Sequence, residues 1–547
     1  MSSKPAARLQ LAELVLMAAP LAALTTSSPP RLARSGLLLL AVLLLQRKEC
    51  LPLSVGSSAF RPSIGQGLPL LLLIPTVAEA VHQDAASTVL NPEYADVLSL
   101  MAYAIAALQL ANVAIVRWAA SSKDCFSGLA PSLVVALLLV LVGKQSTDLG
   151  GQAPTPLLLL AALWAVLGSQ ASLYFVCSAF ARSFTLGECA VVGSWWTLLS
   201  FDAAARTIYK LGALSSASYL GISSPHYVYH QALLLGMAAI GLVLYPLLSA
   251  IKKQAKRHIG GHGSNSRLGA AFYVLALSVI AVIIAPWCDL FLGRFGSIFW
   301  IMQFVLAPRI AGICCYFATL ILAAVWFASL RLAKGSPTSA QLNMRRKFYH
   351  ALAILLFVPG YLLEPVFMHI AFSVALSGTF FVEYLRYFRV WPWGHAIELF
   401  LRHFIDSRDA GPAVLAHIYL LVGCAVPVWL NSLAMDRKLA LGLGGMLTIG
   451  VGDSMASIVG KRFGRHRWPG TKKTMEGTAA YIVSVLVVYQ AVSMLLAPED
   501  RIPIFGLAVS TLTGAMLEAV SDQNDNIMIP AYTFCWQAYF AVHSQSL

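Results

Sequence analysis

Long apolar runs separated by short polar loops recur along the whole chain. A membrane-spanning helix needs about 20 mostly apolar residues. The pattern predicts an all-α, polytopic integral membrane helical bundle with about 13 to 15 transmembrane helices. The apolar runs lie at roughly 36–54, 67–82, 97–118, 129–148, 155–180, 187–205, 230–251, 268–290, 296–330 (one long helix or two), 349–385 (two helices), 413–431, 439–458, 477–497, 503–521 and 527–545.

The composition is that of a membrane protein throughout. Of the 547 residues, 58% are hydrophobic and only 11% are charged, whereas soluble domains carry about 25% charged residues. The net charge of +14 comes from short basic clusters between apolar runs. This is typical of loops that face an anionic membrane leaflet and argues against a nucleic-acid partner. The nine cysteines show no metal-ligand spacing, so no zinc site or disulfide framework is predicted.

Two parts of the chain differ in their chemistry. Residues 1–340 form a hydrophobic, multispanning N-terminal region in which polar residues are scattered. Its start, with Lys4, Arg8 and Glu13 around a short apolar stretch, is typical of an uncleaved or interfacial segment. In residues 341–547 the polar residues concentrate at the ends of the apolar runs. This second part is therefore predicted to be the catalytic membrane region.

Basic residues predict how the second part is oriented in the membrane. Counting its crossings places residues 331–347, 386–409, 461–473 and 521–526 on one side, and the intervening turns hold far fewer basic residues. Because Lys and Arg are enriched in cytoplasmic loops, all four polar segments are predicted to lie at the cytoplasmic face. The basic loop 461–473 and the acidic turn 521–526 can then meet.

The stretch Gly450–Gly477 carries the densest chemistry of the chain. Asp453 lies near the end of an apolar run, and a glycine-broken basic loop leads from it to Glu476. Glycines let backbone amides approach phosphate oxygens, lysines neutralise phosphates, and carboxylates hold the divalent ion that accompanies a nucleotide. The pattern is consistent with a polyphosphate-and-metal site. The alternative is an ordinary cytoplasmic loop placed by the positive-inside bias.

A second polar constellation follows the next pair of apolar runs. Asp522 and Asp525, together with Gln523, Asn524 and Asn526, form an acidic-amide turn. Such a turn can hold a metal ion or accept a proton, but it can equally cap a helix that starts at residue 527. Glu518 lies four residues before this turn, in the apolar run 503–521, and it has two interpretations. Its carboxylate either forms a hydrogen bond to a neighbouring helix or has a catalytic role, and the sequence is equally compatible with both.

Residues from about Arg345 to Pro530 resemble the dolichol kinases, which are polytopic membrane enzymes that phosphorylate a polyprenol with CTP. No break in the family's motifs is seen in this part, whereas the first half is similar only in being hydrophobic and multispanning. The resemblance is carried by RRKFYH (345–350), EYLRYFRVWPWGH (383–395), DSRDAGPAVLAHIYLL (406–421), GVGDSMASIVG (450–460), WPGTKKTMEGT (468–478) and EAVSDQNDNIMIP (518–530).

The resemblance implies an enzyme of the endoplasmic reticulum membrane that converts CTP and dolichol to CDP and dolichyl phosphate for protein glycosylation. It implies a divalent metal ion, with Mg²⁺ expected, held by Asp453 and Asp525. Asp525, Asp453 and Lys473 are the implied catalytic residues, with Asp525 favoured as the base and Glu476 expected to orient the lysines or the metal. The implied CTP-binding residues are Gly452, Gly460, Lys461, Gly464, Trp468, Pro469, Gly470, Thr471, Lys472, Lys473, Thr474, Met475, Glu476, Gly477 and Asn526.

Other functions share parts of this pattern. Diacylglycerol kinases, phytol kinases and phosphatidate cytidylyltransferases have a similar Gly-Asp and Lys-Thr-x-Glu-Gly skeleton, but the long first half and residues 383–421 favour a dolichol kinase. A transporter would use Asp453 and Glu518 as coupling residues. A transporter is disfavoured because the two halves of the chain show no sequence similarity.

Overall fold

The chain folds into helices joined by turns. Among the described residues the only strand-like pairing is an isolated bridge between Arg467 and Thr474. The predicted all-α membrane bundle is therefore confirmed. The computed structural model describes residues 3–47, 60–61, 64–82, 92–118, 155–180, 182–212, 224–257, 266–331, 339–401, 414–432 and 438–543.

The helices form two compact units. The first unit consists of Met1–Ile222 and Gly423–Leu547, and the second unit consists of Ser223–Val422. The first unit contains α1 (Ser3–Thr25), α2 (Pro29–Arg47), a 3₁₀ helix (Ile64–Leu72), α3 (Leu73–His82), α4 (Pro92–Trp118), α5 (Thr155–Ala179) and α6 (Leu186–Lys210). The second unit contains α7 (Pro225–Val243), α8 (Tyr245–Arg257), α9 (Ser266–Val279), a π-helical turn (Ile280–Ile284), α10 (Ala285–Leu292), α11 (Gly296–Leu306), α12 (Pro308–Arg331), α13 (Ser339–Leu363), α14 (Pro365–Phe388) and α15 (Gly394–Leu401).

After α16 (Ala416–Asn431), which crosses the unit boundary, the chain completes the first unit. The first unit therefore contains both the beginning and the end of the chain. The predicted division into residues 1–340 and 341–547 was based on the distribution of polar residues, and it stays a prediction. The remaining helices are α17 (Ala440–Leu447), a π-helical segment (Thr448–Asp453), α18 (Ser454–Phe463), α19 (Met475–Ser493), a 3₁₀ turn (Pro498–Asp500), α20 (Ile504–Val520) and α21 (Asp525–His543).

Ten helices in the described part of the chain are long and apolar enough to cross a membrane, and four shorter apolar helices accompany them. One of the ten, Arg8–Thr25, lies where the sequence predicted an uncleaved or interfacial segment. The predicted run 129–148 falls outside the described residues. The runs 36–54, 187–205 and 527–545 are not among these apolar helices. Two of them are rich in buried polar groups, carried by α6 and α21.

Helix α21 lies deep in the first unit, where it packs against α20, α17, α3 and α1. Nearly all of its residues from Met528 to Ala538 are buried. Because α1 and α3 come from the start of the chain, the last helix is enclosed by helices from both ends of the sequence. The turn that begins α21 is therefore held by a folded surface and does not project as an isolated loop.

Candidate active site

Three carboxylates converge in the first unit. Asp453, Glu518 and Asp525 each offer an oxygen, and these oxygens all lie within 4.8 Å of one another. Asp453 ends the π-helical segment, Glu518 lies near the end of α20, and Asp525 begins α21. Short π-helical segments inserted in α-helices occur frequently at functional sites. The fold thus brings the Gly-Asp motif and the acidic turn together at the ends of apolar helices.

Lys473 joins this carboxylate cluster from the basic loop. Its ammonium donates to the carbonyl oxygen of Glu518 at 2.6 Å and to the carboxylate of Glu518 at 3.0 Å. The Lys473 side chain is 36% exposed and the Glu518 side chain 9%. Burial lowers the pKa of Lys473, but the neighbouring carboxylates outweigh it, so the pKa lies above its ordinary value. Lys473 therefore carries a positive charge at neutral pH beside a buried carboxylate.

The composition of the cluster fits a divalent cation. Three close carboxylates repel one another, and a single ammonium offsets only one negative charge. Oxygen ligands from carboxylates are those that Mg²⁺ and Ca²⁺ prefer. Asp453 and Asp525 were predicted as metal ligands, and the structure places both in the cluster. Glu518 also lies in the cluster, where its carboxylate accepts a hydrogen bond from Lys473.

Glu518 was missed as a site residue because its sequence context is ambiguous. It lies in an apolar run, where a carboxylate serves either helix packing or chemistry. The available signal was its depth, since Glu518 is the only charged residue between Ile504 and Val520. Its distance in sequence from Lys473, 45 residues, concealed their contact.

The basic loop is folded back on itself by its own backbone. The Trp468 amide donates to the Lys473 carbonyl at 3.0 Å, and the Thr471 amide donates to the Trp468 carbonyl at 3.1 Å. Gly470, with φ of +79°, occupies the turn position that favours glycine. The Trp468 ring nitrogen donates to the Thr478 hydroxyl at 2.9 Å. This hairpin ends at Thr474, whose hydroxyl accepts from the Gly477 amide and caps α19.

Glu476 lies in the loop but not in the carboxylate cluster. Its Oε1 contacts His466 Nδ1 at 2.7 Å and accepts from the His466 amide at 3.0 Å. The Met475 amide closes the same end of the loop on the His466 carbonyl at 2.8 Å. Glu476 was expected to orient the lysines or the metal, but in this structure it ties the start of the loop to its end.

The glycines of the stretch permit close packing. A Cβ on Gly464 would lie 2.2 Å from the Gly460 carbonyl oxygen, and one on Gly460 would lie 2.8 Å from the Thr474 hydroxyl. Gly477 is similarly confined against Ala456. A Cβ on Gly452 would lie 2.5 Å from the Tyr481 ring. These four predicted nucleotide-binding glycines therefore let α18, the loop and α19 approach one another.

The other predicted nucleotide-binding residues lie at the end of α18, in this loop or beside the acidic turn. Lys461, Pro469 and Lys472 are exposed, as is Met475. Asn526 is buried, and its backbone amide donates to the Asn524 side chain at 3.1 Å. The predicted residues thus occupy one region of the first unit, and Lys473 is bonded to Glu518 of the carboxylate cluster.

Comparison with known proteins relates part of the chain to one family. The family model described as dolichol kinase matches residues 213–465. This part of the chain is therefore similar to the dolichol kinase family. The matched region includes Asp453 and ends before Lys473, Glu518 and Asp525. No solved structure matches the chain.

Individual dolichol kinases match at similar levels. The chain is 43% identical over 204 residues to "Dolichol kinase sec59" of Schizosaccharomyces pombe, covering 37% of this chain and 40% of that protein. It is 32% identical over 287 residues to "Dolichol kinase" of Homo sapiens, covering 49% and 52%. It is 32% identical over 364 residues to "Dolichol kinase EVAN" of Arabidopsis thaliana, covering 63% of each. The chain thus spans about half the length of the curated relatives it matches.

Proposed function

We propose that the protein is a CTP-dependent dolichol kinase, which transfers the terminal phosphoryl group of CTP to the dolichol hydroxyl. The observation that carries this proposal is the Asp453–Glu518–Asp525 cluster with its bonded lysine. It lies in a polytopic membrane protein, part of which is similar to the dolichol kinase family. The product, dolichyl phosphate, would serve protein glycosylation.

The acceptor hydroxyl would be activated by a carboxylate of the cluster. In the reaction its oxygen forms a bond to the γ-phosphorus, the bond from that phosphorus to the CDP oxygen breaks, and the hydroxyl proton passes to a carboxylate. The sequence resemblance favours Asp525 as the acceptor, and the carboxylate of Glu518 already accepts a hydrogen bond from Lys473. Glu518 holds the Lys473 ammonium in place for the phosphates.

Asp453 and Asp525, with Glu518, would hold the divalent ion, most simply Mg²⁺. When bound, that ion neutralises phosphate charge that develops during transfer. The Lys473 ammonium neutralises further phosphate charge as a point charge. The exposed Lys461 and Lys472 are assigned to attract the nucleotide to the loop.

We place the nucleotide site at the cytoplasmic face of the endoplasmic reticulum membrane. The supporting argument is the bias of Lys and Arg toward the cytoplasm, together with the basic loop 461–473. The carboxylate cluster lies at the ends of apolar helices, where a polyprenol hydroxyl would meet water-soluble nucleotide.

The proposal is tested with the purified full-length protein in detergent. Dolichol, diacylglycerol and phytol are offered as acceptors, each with labelled CTP or ATP and with Mg²⁺. We expect dolichyl phosphate from CTP. Asp525→Asn should abolish transfer, whereas Asp522→Asn, on the exposed side of the same turn, should retain it.

Each other outcome has a definite meaning. Transfer only to diacylglycerol or phytol would keep a CTP-dependent lipid kinase and replace the acceptor. Transfer to none of the three alcohols by monodisperse, folded protein would refute the kinase and favour a transporter. Equal activity of Asp525→Asn and wild type would remove Asp525 from the site.

A further inference from the structure

Side chains from the start of the chain hold the acidic turn that begins α21. The Ser521 hydroxyl donates to Glu13 of α1 at 2.7 Å. The Thr185 hydroxyl, just before α6, donates to the Gln523 side-chain oxygen at 2.6 Å. The backbone amide of Asn524 donates to Glu188 at 2.7 Å. Three residues of the segment 521–524 are thus bonded to partners more than 300 positions away in sequence.

Glu188 is the centre of these contacts. Glu188 is fully buried, with 0% exposure. Its Oε1 accepts from both the Asn524 amide and the Arg61 guanidinium, the latter at 2.5 Å. Its Oε2 accepts from the Thr185 amide at 3.0 Å, which completes a capping box at the start of α6. Three segments that are remote in sequence therefore share one carboxylate.

The contact with Asn524 reaches the carboxylate cluster through a helix cap. The Asn524 side chain accepts from the Asn526 amide at 3.1 Å, and its carbonyl accepts from the amides of Ile527 and Met528. Asn524 is therefore the N-cap of α21. Asp525, the next residue, is a member of the carboxylate cluster. The position of the Asn524 backbone consequently fixes where Asp525 begins the helix.

Tight packing leaves this arrangement little freedom. A Cβ on Gly187 would lie 2.0 Å from the Gly67 carbonyl oxygen, and a Cβ on Gly67 would lie 2.5 Å from the Gln523 side-chain oxygen. The 3₁₀ helix, the start of α6 and the acidic turn thus meet at van der Waals distance. Side chains held by hydrogen bonds and packing are the ones that keep a ligand set in place.

We propose that Glu188 is a positioning residue for the metal-binding carboxylate of Asp525, acting through the Asn524 cap and anchored by Arg61. The proposal rests on the proposed function in so far as the Asp453–Glu518–Asp525 cluster binds a divalent cation. It gives the N-terminal region a role in the site, although the sequence predicted catalytic chemistry only in residues 341–547.

The alternative is a purely structural role, in which the buried ion pair of Glu188 only stabilises the fold. The same helix offers a matched control for this. Asp202 in α6 is also buried, pairs with Arg206 at 2.9 Å and accepts from the Tyr94 hydroxyl at 2.8 Å. It lies about 21 Å along the helix from Glu188, at 1.5 Å per residue. A purely structural effect should appear in both positions.

The experiment measures Mn²⁺ binding to the purified full-length protein by electron paramagnetic resonance, without nucleotide or dolichol. The variants are Glu188→Ala, Glu188→Gln, Asp202→Ala, Asp202→Asn and Asp525→Asn. Loss of a residue that orients a metal ligand weakens affinity about 10- to 100-fold. We expect that range for Glu188→Ala. A smaller loss is expected for Glu188→Gln, whose amide oxygen still accepts from Asn524, and wild-type affinity for both Asp202 variants.

Hydrogen exchange provides a second readout that needs no metal. Glu188→Ala should speed amide exchange in the peptide covering residues 521–528, and Asp202→Ala should not. Because Glu188→Gln keeps an acceptor oxygen, it remains informative if the alanine variant does not fold.

The outcomes separate this proposal from the kinase proposal. Unchanged Mn²⁺ affinity in both Glu188 variants would overturn the positioning role, as would an equal loss in the Asp202 variants. Absence of Mn²⁺ binding by the wild type would also overturn it. Mn²⁺ binding that is weakened by Glu188→Ala, in a protein that phosphorylates no lipid alcohol, would support the positioning role and refute the kinase.

Discussion

The ammonium of Lys473 makes two hydrogen bonds to a single residue, donating to the backbone carbonyl of Glu518 at 2.6 Å and to its carboxylate at 3.0 Å. The first bond fixes the lysine to the backbone of α20, so its position does not depend on the rotamer of Glu518 alone. The second places a positive charge beside the carboxylate cluster. This double contact joins the basic loop to the acidic site.

Lys473 and its neighbour Lys472 should therefore behave differently. We expect Lys473→Ala to lower kcat by at least about 100-fold, the loss typical when a preorganised donor to developing charge is removed. Lys472 is exposed, so Lys472→Ala should chiefly raise the KM for CTP. Steady-state kinetics with CTP and dolichol measure both. Equal kcat values for the two variants would contradict the assignment of Lys473 to the reacting centre.

Glu518 should be required for activity although the sequence left its role open. Glu518→Gln keeps the shape of the side chain but removes the charge that faces Lys473. We expect a loss of at least about tenfold in kcat/KM, since hydrogen bonds between charged groups are worth about 1.5–3 kcal/mol. Asp202→Asn, another buried carboxylate paired with a cation, serves as the control and should stay within threefold of wild type, about 0.6 kcal/mol. Full activity of Glu518→Gln would show that its carboxylate serves packing.

Removal of divalent metal should abolish phosphoryl transfer reversibly. Three carboxylates within 4.8 Å form a poor nucleotide site without a cation, because they repel phosphate oxygens. EDTA should stop the reaction and added Mg²⁺ should restore it. Asp453→Asn should raise the Mg²⁺ concentration for half-maximal rate at least about tenfold. Removing a metal ligand should weaken metal binding more than removing a residue that orients a ligand, which itself costs about 10- to 100-fold. Activity that persists in EDTA would exclude a metal at this cluster.

Much of the carboxylate cluster could be predicted from local sequence. Asp453, Lys473 and Asp525 each lie in a short polar segment at the end of an apolar run, and the resemblance to a family named all three. Crossing counts and the positive-inside bias also predicted that the basic loop and the acidic turn can meet. The contact of Lys473 with Glu518, and the carboxylate cluster itself, confirm that the two segments lie together.

Contacts made over hundreds of residues could not be predicted in this way. Glu188 follows a helix-capping threonine in an apolar context, and nothing near it in sequence indicates the Asn524 amide 336 positions later. Periodicity reports which face of a helix is apolar, but not which distant segment covers that face. The long first half was therefore assigned no site residue, although its helices α1 and α3 pack against α21.

The loop that precedes α19 should depend on Glu476 more than on His466. Glu476 accepts from both the backbone amide and the ring of His466, so Glu476→Ala removes two bonds. His466→Ala removes only the ring contact, which is worth little because the His466 side chain is 75% exposed. We expect the KM for CTP to rise about threefold or more in Glu476→Ala, about 0.6 kcal/mol, and to change less in His466→Ala.

The double variant gives the decisive comparison for this pair. Because both changes act on one contact, the double variant should resemble Glu476→Ala alone, and the two effects should not add. A KM in the double variant clearly above that of Glu476→Ala would show that the His466 ring has a role beyond its contact with Glu476. A rise in His466→Ala equal to that in Glu476→Ala would also contradict the prediction.

Gly452 should tolerate no side chain, because the ring of Tyr481 occupies the space. A Cβ there would lie 2.5 Å from the ring, and the residue adjoins Asp453 in the π-helical segment. Gly452→Ala should therefore cost about 1–3 kcal/mol of stability, as overpacking does, and reduce activity by displacing Asp453. Gly378→Ala in α14, with nothing within 4 Å of the new Cβ, should be neutral or stabilise by about 0.5–1 kcal/mol. Thermal unfolding in detergent compares the two, and equal Tm values would mean that the Tyr481 ring moves aside. If the ring is the obstacle, Gly452→Ala should cost much less stability in a Tyr481→Leu background than in the wild type. An equal cost in both backgrounds would place the clash elsewhere.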